Sequence, residues 1–186
     1  MKFNHRGNID EQELISGCIR GDNAIRHYLY EQYAQQMLGI CYRYTGNREV
    51  SEDLLHDGFI RVFESIRVFQ YRGNGSLKAW ISKIFANVSL EYLRANAQKA
   101  TVSLEEWKEP ESIQDEELES IPEDVLMRFI TELPTGYRTV LNLYVFEEMS
   151  HKEIAKILHI NEASSRSQFA RAKTLLAQKI KNYIKR

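Results

Sequence analysis

Within eight positions the chain sets Ser164, Arg166, Ser167, Gln168 and Arg171: short hydroxyls, an amide and two fork-shaped cations. Groups of this kind hydrogen-bond to base edges and phosphates from the major groove of a duplex. Ser165, Phe169, Ala172 and Leu176 recur between and beyond them at i, i+4, i+7 and i+11. One stripe therefore packs inward and the polar set is left outside. The competing description is a charged face on a structural hairpin, which would more usually carry alternating Glu and Lys.

Such side chains need a helix held at a defined angle, and the residues upstream provide for one. Ser150 with Glu153 has the spacing of a capping box ahead of Ile154, Ala155, Ile157 and Leu158, which predicts a first helix beginning after Ser150. His159, Ile160 and Asn161 then supply a turn, with Ile160 plugging the core and Asn161 capping a second helix from about Glu162. Together these make a helix-turn-helix.

The 186 residues are 43% apolar, enough for one or two small cores. The net charge of −1 hides strong segregation: residues 105–124 carry −9, residues 150–186 carry +7, residues 61–99 carry +5 and residues 1–60 carry −3. Attraction to phosphate is local, screened within about 10 Å. Two basic tracts around an acidic one thus point to two contacts with one polyanion. The acidic segment contains Pro110, clusters of Glu and Ser, and few large apolar residues. It is expected to be a flexible linker over residues 98–121: a solvated spacer in preference to a contact for another protein, or a shield for the basic tracts.

Four amphipathic helices are predicted before it: Asp10 to about Arg20, Asp22 to Thr45, about Glu49 to Phe69, and about Leu77 to Ala97 capped by Ser76. Their buried seams would be Ile25, Tyr28, Leu29, Tyr33, Met37, Ile40 and Tyr44; then Leu55, Phe59, Val62 and Ile66; then Leu77, Ile81, Ile84, Val88 and Ala95. On the fourth helix Ser76, Lys83, Asn87 and Arg94 form a neighbouring stripe, with Trp80 at its border. Phe69 and Tyr71 lie just upstream, and basic residues interleaved with aromatics suit stacked or flipped single-stranded bases. Aromatics at these spacings also serve as core. The fold class is all-α, with domains at residues 8–97 and 122–186 joined by the acidic linker.

Other chemistry is not signalled. Cys18 and Cys41 have no CxxC or Cys/His partner and read as small core residues. His5, His27, His56, His151 and His159 lack ligand spacing, so no metal or cofactor is expected. Neither a Gly-rich phosphate loop nor a nucleophile-base arrangement is visible, which argues against an enzyme acting on nucleic acid, and no small-molecule substrate is expected. No apolar run nears the ~20 residues of a membrane span, and a cytoplasmic protein is expected.

Two stretches carry a family resemblance. Residues 47–63, NREVSEDLLHDGFIRVF, with residues 77–94, LKAWISKIFANVSLEYLR, resemble the second conserved region of bacterial sigma factors. Residues 133–176, LPTGYRTVLNLYVFEEMSHKEIAKILHINEASSRSQFARAKTLL, resemble the fourth. Their direct succession across a linker is similar to the arrangement in extracytoplasmic-function (ECF) members of the sigma-70 family. The resemblance implies an N-terminal four-helix region 2 and a C-terminal helix-turn-helix region 4. It also implies core RNA polymerase and promoter DNA, both double-stranded and melted, as partners, with an anti-sigma factor as restraint.

The same resemblance implies the site residues. Core polymerase would be bound through Glu52, Asp53, His56, Asp57, Phe59 and Arg61, although Glu52 and Asp53 would favour the helix dipole in any case. Tyr71, Arg72, Asn74, Ser76, Lys83 and Asn87 would capture a flipped base of the minus-ten element. Ser164, Arg166, Ser167, Gln168 and Arg171 would read the minus-thirty-five element. Three positions depart from the family pattern: His56 where Gln is common, Gly58 inside a helix, and His159 where Gly is usual. An autonomous helix-turn-helix regulator, binding an operator as a dimer, is the alternative; purification with core polymerase separates the two.

Overall fold

The computed structural model describes residues 9–96 and 121–185, and the described residues contain helices and no strand. The expected linker, residues 98–121, lies outside them except for Ile121, as does His5. Contacts divide the chain into two compact units, Met1–Cys41 with Glu49–Ser89, and Tyr42–Arg48 with Leu90–Arg186.

In the first unit, Asp10 caps α1 (Glu11–Arg20) by accepting the Glu13 N–H at 2.7 Å, and Gly21 ends the helix at φ 79°. Gly17 lets α1 approach α2 (Asn23–Thr45), because a Cβ there would meet Ile25 Cγ2 at 2.7 Å. Helix α3 (Arg48–Ser65) stops short of the expected Phe69 and tightens into a 3-10 turn, Ile66–Val68. Ser65 Oγ donates back to the Arg61 carbonyl, the competition with the helical ladder that hydroxyls introduce. Ile66 is fully buried, so the turn is fixed to the core.

Helix α4 (Ser76–Ala95) buries Leu77, Ile81, Phe85 and Val88 to 3% exposure or less. Ile84 is half-buried and Ala95 exposed, so the seam follows i, i+4, i+8 and runs through Phe85. Gly58 on α3 is explained by the same ring: a Cβ there would lie 2.2 Å from Phe85 Cε1. The helical cost of that glycine permits a close α3–α4 approach.

The second unit holds α5 (Glu123–Thr131), α6 (Thr135–Leu141), a π-helical turn (Asn142–Phe146), α7 (His151–Leu158) and α8 (Glu162–Ile184). Ile130, Leu133, Tyr137, Leu141 and Ala172 form a core against which Leu126, Phe169, Leu175 and Leu176 pack. Arg138 is 6% exposed. It donates to the carbonyls of Tyr44 (3.0 Å), Thr45 (2.9 Å), Thr131 and Leu133 (3.3 Å), placing a cation at the ends of two helices. Gly46 makes room for it, since a Cβ at that position would meet Arg138 Nη1 at 2.7 Å.

Candidate nucleic-acid interface

The helix-turn-helix is built by its caps. Ser150 Oγ accepts the Glu153 N–H at 3.3 Å, while the Glu153 carboxylate accepts the Ser150 backbone N–H at 2.9 Å and its hydroxyl at 2.6 Å. Those hydrogen bonds hold the Glu153 carboxyl below the usual carboxylate range. His159 ends α7 in the left-handed region, φ 54° and ψ 41°, a conformation disfavoured for a residue with a Cβ. Asn161 Oδ1 then accepts the Ser164 N–H at 2.6 Å and starts α8.

The inward stripe of α8 is pinned by polar and aromatic contacts. Ser165 is fully buried, 3.0 Å from His151 Nδ1. The His151 ring stacks on Tyr144, centroids 4.6 Å apart and 18° between planes, and lies 5.7 Å from Phe169. Burial, and then the charge of Arg166, hold His151 below its ordinary value of 6.5.

The expected reading residues are not equally placed. Arg166 and Ser167 are exposed, with Arg166 paired to Glu162 one turn away. Ser164, Gln168 and Arg171 are half-buried, and Arg171 Nη1 donates to the Tyr137 hydroxyl at 3.1 Å.

In the first unit, the loop before α4 brings the expected minus-ten residues together in pairs. Tyr71 Oη donates to Asn74 Oδ1 at 2.8 Å, and Ser76 Oγ accepts the Arg72 N–H at 3.2 Å. Gly73 and Gly75, at φ 111° and 88°, supply backbone that other residues rarely adopt. Ser76, expected as a cap, is instead the first residue of α4, its hydroxyl turned to Arg72. The capping is done by Glu11 from α1, whose carboxylate accepts the N–H groups of Gly75 (2.8 Å) and Leu77 (3.4 Å). Negative charge there also suits the helix dipole.

Phe69 packs on Trp80 with centroids 4.9 Å apart. Lys83 and Asn87 are exposed one turn apart on α4. Arg94, in the second unit, donates to the Ile157 carbonyl at 2.6 Å.

On α3, Glu52, Asp53, His56, Asp57 and Arg61 are exposed. Phe59, expected as a partner-facing anchor, is 3% exposed and sits among Tyr30, Phe63 and Phe85 at centroid distances of 4.6, 6.1 and 5.2 Å. It is a core residue that supports the face from behind. The apolar side chain that does face outward is Ile60, 55% exposed and one turn from His56 and Asp57. Sequence reasoning passed over Ile60, Glu11 and Tyr137, although the i, i+4 spacing of His56 and Ile60 was readable. Cys18 and Cys41 are free and buried, with thiols pushed up to about 11 by burial, as suits small core residues. Among the described residues no His, Cys, Asp and Glu cluster could hold a metal, and no helix is long and apolar enough to cross a membrane.

Both regions match known family models: Sigma-70 region 2 over residues 29–99 and Sigma-70, region 4 over residues 123–176. An ECF RNA polymerase sigma factor, SigM of Bacillus subtilis, is 27% identical over 150 residues, covering 80% of this chain and 90% of that protein. The ECF RNA polymerase sigma-E factor of Haemophilus influenzae is 24% identical over 184 residues, covering 92% and 96%. Among solved structures, the sigma factor RpoE from Bartonella quintana, in complex with the anti-sigma factor NepR, aligns with TM-score 0.49 and 16% identity, covering 83% of this chain and 96% of that one. The chain belongs to the sigma-70 family, in its ECF type. Its function is promoter-specific initiation of transcription with core RNA polymerase.

Proposed function

We propose that the two polar helical faces divide that function between two promoter elements. In this reading residues 8–97 form the region 2 domain, 98–121 the linker and 122–186 the region 4 domain. Arg166, Ser167, Ser164, Gln168 and Arg171 on α8 read the minus-thirty-five duplex. Tyr71, Arg72, Asn74 and Ser76 in the loop, with Lys83 and Asn87 on α4, receive a base of the minus-ten element as the strands part. Flipping costs a few kcal/mol, which a preformed loop inside an assembled polymerase offsets. The observation that carries the reading is the pairing of a capped helix-turn-helix with a second exposed Lys–Asn stripe behind a tethered, aromatic-flanked loop.

Core polymerase docks on the α3 face of Glu52, Asp53, His56, Asp57 and Arg61, with Ile60 in place of Phe59 as the apolar contact. The subunit performs no covalent chemistry of its own and acts in the cytoplasm. By family resemblance it is restrained by an anti-sigma factor.

The test is run-off transcription by core polymerase, with and without this protein, on a library of genomic fragments. New discrete starts that depend on the protein are expected, and their absence removes the reading. On a promoter so found, Arg171→Ala weakens specific binding by ~1–3 kcal/mol. Transcription equal to wild type would strike Arg171 from the reading set.

A further inference from the structure

We infer that Tyr137 on α6 is a specificity-determining positioning residue, which holds the Arg171 guanidinium in the orientation used to read a base. The inference rests on the proposed role of α8. An arginine on a helix surface ordinarily samples many rotamers, and fixing one at the moment of recognition costs entropy. Here the side chain is half-buried, Nη1 donates to the Tyr137 hydroxyl at 3.1 Å, and Nε is buried with no partner among the described residues. One donated bond and a buried Nε restrict both the position and the plane of the fork. A fork of fixed plane is what bidentate recognition of a base edge requires.

The anchoring group is itself immobile. Tyr137 is 7% exposed, with its ring in the core formed by Ile130, Leu133, Leu141 and Ala172. Ala172, the neighbour of Arg171 in sequence, is fully buried, so the backbone that carries the guanidinium is fixed to the core that fixes the phenol. A buried tyrosine hydroxyl ordinarily finds a hydrogen-bond partner, and this one accepts from Arg171.

The preceding residue of α6 braces the same face. A Cβ on Gly136 would lie 3.0 Å from Gln168 Oε1, so the absence of a side chain there lets Gln168 lie against the α6 backbone. Gln168 and Arg171 stand at i and i+3 and share a face of α8. Helix α6 thus backs two of the five side chains assigned to the minus-thirty-five element.

The test uses holoenzyme assembled from core polymerase and the full chain, challenged with a DNA library randomised across the minus-thirty-five element, with bound sequences counted. Wild type is compared with Tyr137→Phe, Arg171→Ala and the double variant, and thermal unfolding confirms that each is folded. Tyr137→Phe keeps the ring in the core and removes only the hydroxyl. We expect Arg171→Ala to flatten the preference at one or two base positions. Tyr137→Phe should reduce that same preference about three- to tenfold and leave the other positions and the binding of mixed-sequence DNA unchanged. In the Arg171→Ala background the second change should add nothing. If Arg171→Ala alters a preference that Tyr137→Phe leaves intact, or if the effect of Tyr137→Phe persists in the double variant, the positioning role is overturned. If Arg171→Ala itself changes no preference, the base-reading role of Arg171 falls first and this inference falls with it.

Discussion

Helices α4 and α8 both bury an apolar stripe and present polar and basic side chains outward, but they differ in how far directional contacts extend along them. Helix α4 is seated by apolar contact, with Leu77, Ile81, Phe85 and Val88 buried and Gly58 cut away to admit the Phe85 ring. Helix α8 packs Phe169, Ala172, Leu175 and Leu176 on its core and is pinned in addition by directional contacts along its length: a cap from Asn161, a hydrogen bond between Ser165 and His151, and the tie from Arg171 to Tyr137. Apolar burial is strong but non-directional, whereas hydrogen bonds are individually modest and fix geometry. The contrast suits the proposed roles. A helix that reads base edges needs its side chains at fixed positions, while one that receives an unpaired base needs a stable floor and free, exposed ends such as Lys83 and Asn87.

The contrast can be broken at several points. The largest effect is expected at Arg138, whose guanidinium serves the carbonyls of Tyr44, Thr45, Thr131 and Leu133. Arg138→Met leaves buried acceptors without a donor and should lower stability by about 3 kcal/mol in urea unfolding. A loss within experimental error would mean that polar contacts contribute little to holding the second unit. Next comes Gly58→Ala, which drives a Cβ into the Phe85 ring. Overpacking of ~1–3 kcal/mol is set against the helix propensity regained, up to ~1 kcal/mol, for a net loss of up to about 2 kcal/mol. A stabilised Gly58→Ala protein would show that α3 and α4 separate easily.

Two smaller effects sharpen the account of the helix-turn-helix. His159 carries φ 54° with a Cβ, so His159→Gly relieves a left-handed conformation and should raise stability by ~0.5–1 kcal/mol. No gain in the unfolding midpoint would show that contacts of the imidazole compensate. His151 is held below its ordinary 6.5, so on acidification the unfolded chain takes up this proton before the folded one. Its contribution to stability is complete above about pH 6.5 and is lost as pH falls through the lowered value. Wild type should therefore lose more of its melting temperature between about pH 7.5 and pH 5.5 than His151→Phe does. Equal losses would show that the His151 ring does not titrate with folding.

Much of this molecule was legible along the chain because its signals are local. The Ser150–Glu153 box, the Asn161 cap and the turn at His159 were readable as short spacings and are present as such. The α3 seam of Leu55, Phe59, Val62 and Ile66 was readable from period alone, and all four are buried. Period placed Phe59 in the core, where it lies at 3% exposure; the partner-facing role came from the family resemblance, and burial sets the ring behind that face. Period does not reveal which of two adjacent apolar positions a neighbouring helix will take, hence Phe85 rather than Ile84 in the α4 seam.

The order of residues by itself determined the four N-terminal helices, the helix-turn-helix with its Ser150 and Asn161 caps, the charge segregation and the polar faces of α4 and α8, because each depends on neighbours within about one turn. Only the tertiary structure decided that Glu11 caps α4 across 64 residues, that Arg138 serves carbonyls more than 90 positions away, and that Tyr137 holds Arg171. Those contacts form between groups that packing brings together, and no spacing along a chain encodes a distance across a fold.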